Sequence, residues 1–178
     1  MNEVRILDKK FRELISEKAI RTRIDEMALQ INRDFTGSEV IFVGILNGAF
    51  MFAADLFRKT ELNARITFVK LASYIGTSSS GSIKELIGWN EDLVNKKIIV
   101  VEDIVDTGTT LERIVNELVI RNVAEIRIAT MLLKPTAYKK DIPINYIGFE
   151  IPNNFVVGYC LDYNGYGRNL PSIYTLAK

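Results

Sequence analysis

The residues with the clearest chemical potential lie in one stretch, residues 98–110, which reads IIVVEDIVDTGTT. Four apolar residues lead directly into Glu102 and Asp103, so the pattern predicts two acidic side chains at the carboxyl end of a buried strand. Asp106 follows, and then a small, hydroxyl-rich turn that opens a helix. The stretch therefore combines acids with a turn of a kind that binds anions.

The turn at residues 106–110 has the composition of a phosphate-binding loop. Backbone N–H groups that precede a helix lack helical partners and lie beside a partial positive charge of about half a unit. Thr107, Thr109 and Thr110 add hydroxyl donors, and Gly108 allows the main chain to approach an anion closely. Because the preceding acids suit sugar hydroxyls or a metal ion, the segment predicts a phosphorylated sugar as its ligand.

A short motif of this kind also has a purely structural interpretation. Asp and Thr before a helix are ordinary caps, and an acidic pair at the end of a strand can serve solvation alone. Competing nucleotide motifs are absent from the sequence: there is no G-x-x-x-x-G-K-[ST] loop, and Gly165-Tyr-Gly167 lacks the third glycine of a dinucleotide loop.

The composition of the 178 residues is that of one globular domain, with 48% apolar residues, 25% charged residues and a net charge of +1. This small net charge gives no indication of nucleic acid or a membrane as a partner. The chain has no histidine and one cysteine, Cys160, which excludes a histidine-based catalytic triad, a zinc site and an intramolecular disulfide. Any metal is expected to be oxygen-liganded, such as Mg²⁺. Without a signal-peptide core or a long apolar run, the sequence predicts a soluble cytoplasmic protein.

Strands and helices alternate in the first half of the chain. Ser16 is positioned to cap a helix that ends near residues 36–37. The apolar stripe of this helix is Ile20, Ile24, Met27, Ala28 and Ile31. Residues 40–46 (VIFVGIL) predict a strand covered on both faces. The next helix is predicted from a stripe of Phe50, Ala53, Ala54 and Phe57.

The second half repeats this alternation. Residues 98–101 are predicted as a strand, 102–108 as a polar turn, and the following helix as ending at Asn122 in a left-handed conformation. The stripe of that helix is Leu111, Ile114, Val115, Leu118 and Val119. Residues 65–72 and 126–133 are further predicted strands, and 76–81 a mobile loop. The alternation predicts a mostly parallel, doubly wound α/β sheet, with ligands bound beyond the carboxyl ends of its strands.

The full segment resembles the phosphoribosyl-pyrophosphate signature of the type I phosphoribosyltransferases, which VVEDIVDTGTTL matches throughout. Other blocks narrow the resemblance to the hypoxanthine-guanine phosphoribosyltransferases and extend it over nearly the whole chain. These blocks are Leu46-Asn47-Gly48, Ser73-Tyr74, Leu133-Lys134-Pro135, residues 154–164 (NFVVGYCLDYN) and Arg168.

The resemblance implies the type I phosphoribosyltransferase fold, an α/β architecture with a mostly parallel central sheet flanked by helices. It also implies a single domain over residues 1–178, with a small hood subdomain formed from the N-terminal and C-terminal segments above the active site. A mobile lid is expected at residues 73–88, beginning at Ser73 and Tyr74, whereas a tolerant hairpin connection is the alternative interpretation.

For the sugar side of the site, the resemblance implies that Glu102 and Asp103 contact the ribose hydroxyls, directly or through Mg²⁺. The ribose phosphate is expected at the turn of Asp106, Thr107, Gly108, Thr109 and Thr110. Asp106 is the implied general base, which accepts a proton from the five-membered ring of the purine and is expected to lie near other acids.

For the base side, Lys134 resembles the residue that donates to the exocyclic oxygen of a 6-oxopurine and so selects against adenine, although a solvated lysine fits the residues equally well. Phe155 resembles the aromatic that stacks on the base, whereas the sequence alone favours a core phenylalanine that opens a strand. Val156 is implied to contact the base edge through its backbone. Asp162 is implied to lie near the far side of the base and a second Mg²⁺, so the implied metal ligands are Glu102, Asp103 and Asp162.

Leu46, Asn47 and Gly48 resemble the family's pyrophosphate loop, which uses backbone amides and a non-proline cis peptide, predicted here at Leu46–Asn47. Many relatives carry Lys or Arg where this chain has Asn47, so the loop supplies less positive charge. Arg168 is the further pyrophosphate contact that the resemblance implies.

The implied reaction is the Mg²⁺-dependent transfer of the phosphoribosyl group from phosphoribosyl pyrophosphate to hypoxanthine or guanine, which gives IMP or GMP and pyrophosphate. It is a displacement at the anomeric carbon with inversion. A homodimer or homotetramer is expected. The alternatives are a regulatory nucleotide-sensing protein of the same fold and, among enzymes, xanthine-guanine or adenine specificity; the sequence leaves the ranking of hypoxanthine, guanine and xanthine open.

Overall fold

The computed structural model describes residues 3–72, 84–89 and 91–177, and within these ranges it contains ten strands and three helices. The strands are β1 (Glu3–Ile6), β2 (Lys9–Ile15), β3 (Glu39–Leu46), β4 (Asn63–Ala72), β5 (Lys84–Ile87), β6 (Lys97–Val105), β7 (Glu125–Leu133), β8 (Tyr146–Glu150), β9 (Val156–Val157) and β10 (Ile173–Leu176). The helices are α1 (Glu17–Asp34), α2 (Phe50–Phe57) and α3 (Thr109–Ile120). None of the helices in the described ranges is both long and apolar enough to cross a membrane.

Six strands form the central sheet, in the order β5-β4-β3-β6-β7-β8. Neighbouring strands are parallel except β4 and β5, which pair antiparallel at one edge. Helix α2 connects β3 to β4, and α3 connects β6 to β7. The predicted mostly parallel α/β sheet is therefore confirmed, and the carboxyl ends of β3, β6 and β7 meet at one edge.

Strand β3 shows why its sequence is a continuous apolar run. Val40 and Phe42 pack into the core that contains the buried residues of α1 and α2, whereas Ile41 and Val43 pack into the core that contains those of α3. Because helices cover both faces of the sheet, neither set of alternating positions faces water.

Helix α1 follows its prediction closely. The Ser16 hydroxyl is the N-cap and accepts a hydrogen bond from the Ala19 N–H at 3.3 Å, an interaction that typically stabilises a helix by about 1 kcal/mol. The whole predicted stripe is buried: Ile20, Ile24, Met27, Ala28 and Ile31. The helix ends at Asp34, and Gly37 then adopts a φ of +73°.

Helix α2 is present, but its predicted stripe is partly wrong. The buried residues are Phe52, Ala53 and Leu56, whereas Phe50 is 41% exposed and Ala54 is exposed. The helix is short and almost wholly apolar, so it has no polar face from which the buried side could be assigned.

Helix α3 buries a narrower stripe than predicted. Leu111, Ile114 and Leu118 are buried, but Val119 is 60% exposed because it lies about 100° around the helix from Leu118. Asn122 has a φ of +54°, which confirms the predicted left-handed terminator.

A second, four-stranded sheet joins the two ends of the described chain. Its order is β1-β2-β10-β9, and every pairing is antiparallel. Ile6, Phe11, Val157 and Tyr174 form a buried cluster of its own. Because β9 belongs to this sheet, the sheet positions Phe155 and Val156 beside the carboxyl edge of the central sheet.

Candidate active site

The ends of β3, β6 and β7 bring the predicted site residues to one edge of the sheet. Strand β6 runs to Val105, so Glu102 and Asp103 lie within the strand, which corrects the prediction of a polar turn beginning at residue 102. The cause is backbone pairing with β7, which continues as far as Val105 opposite Leu133 and holds these polar residues extended.

The chain turns from β6 into α3 at residues 106–108, around a cavity of about 90 Å³. All five predicted phosphate-site residues line it: Asp106, Thr107, Gly108, Thr109 and Thr110. The Glu112 N–H donates to the Gly108 carbonyl at 2.9 Å, so the amides before Glu112 precede the first helical hydrogen bond. The hydroxyls of Thr107 and Thr109 lie 3.2 Å apart. These amides and hydroxyls suit an oxyanion.

Two structural features require a glycine at position 108, in addition to the predicted approach of an anion, which stays a prediction. Gly108 is the N-cap of α3 and has a φ of +83°, a left-handed conformation that favours glycine. A Cβ atom at this position would also lie 2.5 Å from Cε2 of Tyr138. The glycine therefore allows the residues after β7 to pack against the turn.

Glu102 and Asp103 form an acidic pair beside this turn. Glu102 is 8% exposed, and its Oε2 atom is buried without a hydrogen-bond partner in the described structure. Burial, and then the neighbouring Asp103, raise the pKa of Glu102 well above its usual range. Burial also raises the pKa of Asp103 to about 6, although its carboxylate accepts a hydrogen bond from the Ile104 N–H at 2.9 Å. Both acids therefore favour a ligand that brings positive charge or hydroxyl donors.

The loop after β3 contacts this acidic pair. The Leu46–Asn47 peptide is cis, which confirms the prediction. A Cβ atom on Gly48 would lie 1.7 Å from Asp103 Oδ2, so this close contact requires a glycine. Asn47 is an exposed residue.

Asp106 and Lys134 form an ion pair, with Lys134 Nζ 2.8 Å from Asp106 Oδ2. The Asp106 side chain is 45% exposed and that of Lys134 is 10% exposed. The sequence predicted acids around Asp106 and missed this cation. The signal that could have found it is strand register, because Val105 pairs with Leu133 and the two charged residues follow directly.

The base-side residues surround a larger cavity of about 330 Å³. It brings together Gly48, Asp103, Asp106, Lys134, Phe155, Val156, Asp162 and Arg168. Phe155 is 47% exposed, which contradicts its interpretation as a core residue, and its ring lies 5.9 Å from that of Tyr163 in an edge-to-face arrangement. An aromatic face at the wall of a cavity suits stacking on a planar ligand.

Asp162 and Arg168 are held by each other. The Arg168 guanidinium donates to the Asp162 carboxylate and to the Cys160 carbonyl, and the other Asp162 oxygen accepts from the Gly165 N–H at 2.6 Å. Sequence reasoning assigned the two side chains to different ligands and did not pair them.

Tyr159 and Asp55 also position this loop, and their contact was not predicted from the sequence. The Tyr159 hydroxyl donates to Asp55 Oδ2 at 2.7 Å, which ties the loop that carries Asp162 to helix α2. Burial, and then this hydrogen bond, raise the pKa of Tyr159. No local pattern signals a contact between residues so far apart in the chain.

Ser73 and Tyr74, the predicted lid residues, lie outside the described residues. A third cavity, of about 850 Å³, lies on another part of the molecule. It is lined by residues of α1 and by Glu39 and Asn63 at the start of β3 and β4. Its size does not make it the better candidate, because none of the predicted site residues borders it.

Comparison with known proteins assigns the chain to a family. Residues 12–164 match the phosphoribosyl transferase domain. A hypoxanthine-guanine phosphoribosyltransferase from Staphylococcus epidermidis is 42% identical over 164 residues, which cover 92% of each chain. Among solved structures, a hypoxanthine phosphoribosyltransferase from Staphylococcus aureus is 38% identical, with a TM-score of 0.88 over 99% of this chain and 98% of that chain. A hypoxanthine-guanine phosphoribosyltransferase from Bacillus anthracis is 37% identical, with a TM-score of 0.86 over 94% and 97%.

The match over residues 12–164 shows that the chain belongs to the phosphoribosyltransferase family, and its mostly parallel α/β sheet agrees with that class. Within the family, the similar proteins named above are enzymes of the hypoxanthine-guanine type.

Proposed function

We propose that the protein is a Mg²⁺-dependent enzyme of purine salvage, which transfers the phosphoribosyl group from phosphoribosyl pyrophosphate to hypoxanthine and also to guanine. The observation that carries the proposal is the Asp106–Lys134 pair. Asp106 lines both the phosphate cavity of about 90 Å³ and the base-side cavity of about 330 Å³, and Lys134 lines the base-side cavity. One carboxylate therefore borders the proposed places of the sugar phosphate and of the base.

The charges of this pair match a 6-oxopurine. Lys134 offers a donor for the exocyclic oxygen of the base, and Asp106 offers an acceptor for a proton of its five-membered ring. An adenine amino group would meet the Lys134 donor with a donor. The ion pair opens as the base enters, and each partner then takes its complement on the base. Phe155 stacks on the ring, and the Val156 backbone contacts its edge.

The sugar phosphate binds the amides and hydroxyls of residues 106–110, and the ribose hydroxyls face Glu102 and Asp103. Pyrophosphate leaves from the side of Leu46, Asn47, Gly48 and Arg168. The base nitrogen displaces it at the anomeric carbon with inversion, while Asp106 removes the ring proton, which typically contributes about 10²–10⁴-fold to the rate.

The acidic residues of this site fit a Mg²⁺ ion that is shared between the protein and the substrate. The unpartnered Glu102 Oε2 and the nearby Asp103 offer hard oxygen ligands. No three acidic, His or Cys side chains converge on one point within the described ranges, so oxygens of the substrate and of water would complete the coordination. Asp162 is the proposed ligand of a second ion, although both of its oxygens have protein partners. When bound, Mg²⁺ neutralises the pyrophosphate leaving group.

Several features complete the proposal. The small sheet of β1, β2, β9 and β10 acts as the hood of a single domain. Of the predicted lid at residues 73–88, Lys84–Ile87 form strand β5 at the edge of the central sheet, and residues 73–83 lie outside the described residues. The protein works in the cytoplasm as a homodimer or homotetramer.

The test is an absorbance assay with phosphoribosyl pyrophosphate and Mg²⁺, in which hypoxanthine, guanine, xanthine and adenine are offered separately. Turnover of 6-oxopurines alone is the expected result, and the rates rank the substrates. Turnover of adenine would overturn the role of Lys134. Absence of turnover with every base, from protein that still binds IMP, would favour a regulatory nucleotide sensor of this fold.

A further inference from the structure

We propose that Lys140 is a further residue of the phosphate site, which neutralises Glu112 and so keeps the start of α3 attractive to the ribose phosphate. The inference rests on the proposed phosphoribosyl transfer, and it adds a residue that lies outside the signature segment at 98–110.

The residues that line the phosphate cavity include negative charges but no positive charge. Its lining contains Glu102 and Asp106 but no Lys or Arg. Glu112 adds a third carboxylate in the first turn of α3, where it competes with a bound phosphate for the positive end of the helix. Asp106 is paired with Lys134, so the acids near a ribose phosphate that this pair does not balance are Glu102 and Glu112.

The segment after β7 brings a cation to this place. A Cβ atom on Gly108 would lie 2.5 Å from Tyr138 Cε2 and 2.9 Å from Lys140 Cγ, so both side chains cross the turn at Gly108. The Tyr138 hydroxyl donates to the Ile142 carbonyl at 2.6 Å, which holds the segment in this position.

The Lys140 ammonium ends on Glu112, with Nζ 2.7 Å from Oε2. Since its aliphatic stem already touches Gly108, the ammonium lies within the screening length of about 8 Å from the turn. The pair cancels the charge of Glu112, and the side chains remain partly exposed, at 29% and 44%, so that Lys140 can turn toward a bound phosphate.

An exposed ion pair of this kind contributes little to stability, which is the competing explanation of the contact. The two explanations differ in one respect. A structural pair affects the folded state alone, whereas a phosphate-site pair changes affinity for a phosphorylated sugar in opposite directions when either partner is neutralised.

The experiment measures the dissociation constant of ribose 5-phosphate by calorimetry, and the KM values for phosphoribosyl pyrophosphate and hypoxanthine, in the full-length protein. The matched control is Lys139→Gln, which removes the same charge from the adjacent exposed residue. Lys140→Gln is expected to weaken ribose 5-phosphate binding and raise the KM for phosphoribosyl pyrophosphate about three- to tenfold, with the KM for hypoxanthine unchanged. Glu112→Gln is expected to tighten binding, the double variant to lie between, and Lys140→Arg to match the wild type.

The proposal is overturned if Lys140→Gln and Lys139→Gln bind ribose 5-phosphate equally well, whether or not the protein turns over a purine. If Lys140→Gln weakens that binding but the wild type turns over no base, the phosphate-site role stands and the proposed enzymatic function fails.

Discussion

The two sides of the site are built in different ways. The phosphate side is a continuous turn, residues 106–110, whose chemistry comes from backbone amides and hydroxyls at the start of one helix. The base side is assembled from separate segments, which place Gly48, Lys134, Phe155 and Arg168 around one cavity. The phosphate side thus depends on local conformation, whereas the base side depends on ion pairs and packing between distant elements.

This difference separates affinity from selectivity. Backbone amides bind any suitable oxyanion, so under the proposed function the turn holds the sugar phosphate without contacting the base. The side chains of the base-side cavity carry the donors and acceptors that are proposed to distinguish one purine from another. Asp106 borders both sides and couples them.

The largest expected effect is that of Asp106→Asn, which tests this coupling. Turnover is expected to fall about 10²–10⁴-fold because the variant cannot accept a proton. Little change in folding is expected, because the Asp106 side chain is 45% exposed and Asn keeps an oxygen that can accept a hydrogen bond from Lys134. Steady-state kinetics together with thermal unfolding provide the measurement, and turnover near that of the wild type would remove Asp106 from the mechanism.

A second test concerns the acid that borders the base-side cavity and the loop at Gly48. Burial raises the pKa of Asp103 from 3.8 to about 6, so ionised Asp103 destabilises the folded state. The wild type therefore loses stability relative to Asp103→Asn as pH rises from about 4 to 6, by up to about 3 kcal/mol, and the difference is constant above that range. Urea unfolding of both proteins at pH 4, 5, 6 and 8 measures it. A difference that does not change with pH would show that the surroundings of Asp103 do not raise its pKa.

Lys134→Met sharpens the assignment of the base side. The change removes the donor while keeping an unbranched side chain, so kcat/KM for hypoxanthine is expected to fall about 10²-fold. The dissociation constant for ribose 5-phosphate is expected to rise by a smaller factor, because the variant leaves Asp106 unpaired beside the phosphate turn but keeps the amides and hydroxyls of that turn. Lys139→Met is the matched control. An equal loss of affinity for both ligands would mean that the two sides are not separable.

The smallest of these effects is expected from Gly48→Ala. The added Cβ would lie 1.7 Å from Asp103 Oδ2, so the carboxylate must move, and kcat/KM is expected to fall about tenfold. Gly37→Ala serves as a control on the far part of the molecule, where a Cβ meets nothing within 4 Å and only the left-handed conformation is strained. Its stability should fall by about 1 kcal/mol, with kcat/KM unchanged. Equal activity of the two variants would argue against the contact between Gly48 and Asp103.

What the sequence predicts well follows the same division. The helix cap at Ser16, the apolar strand β3 and the phosphate turn depend on neighbouring residues, and each lies where its pattern indicates. The family resemblance supplied the fold and the residues around the larger cavity, including Phe155, which the pattern alone assigned to the core.

The contacts that were not predicted from the sequence depend on how distant elements meet in space. The Asp106–Lys134 and Asp162–Arg168 pairs follow from strand register and loop closure, and the Tyr159–Asp55 hydrogen bond joins a loop to a distant helix. The length of β6 was missed for the same reason. Strand β6 extends to Val105, despite its acidic residues Glu102 and Asp103, because β7 pairs with it.

The most direct test of the two-sided site is a crystal structure of the protein with IMP. The phosphate is expected to accept hydrogen bonds from the amides of residues 107–110. Lys134 is expected to have left Asp106 for the oxygen of the base, which stacks on Phe155. A phosphate bound away from the turn, or a base that leaves the Asp106–Lys134 pair intact, would rule out the two-sided site.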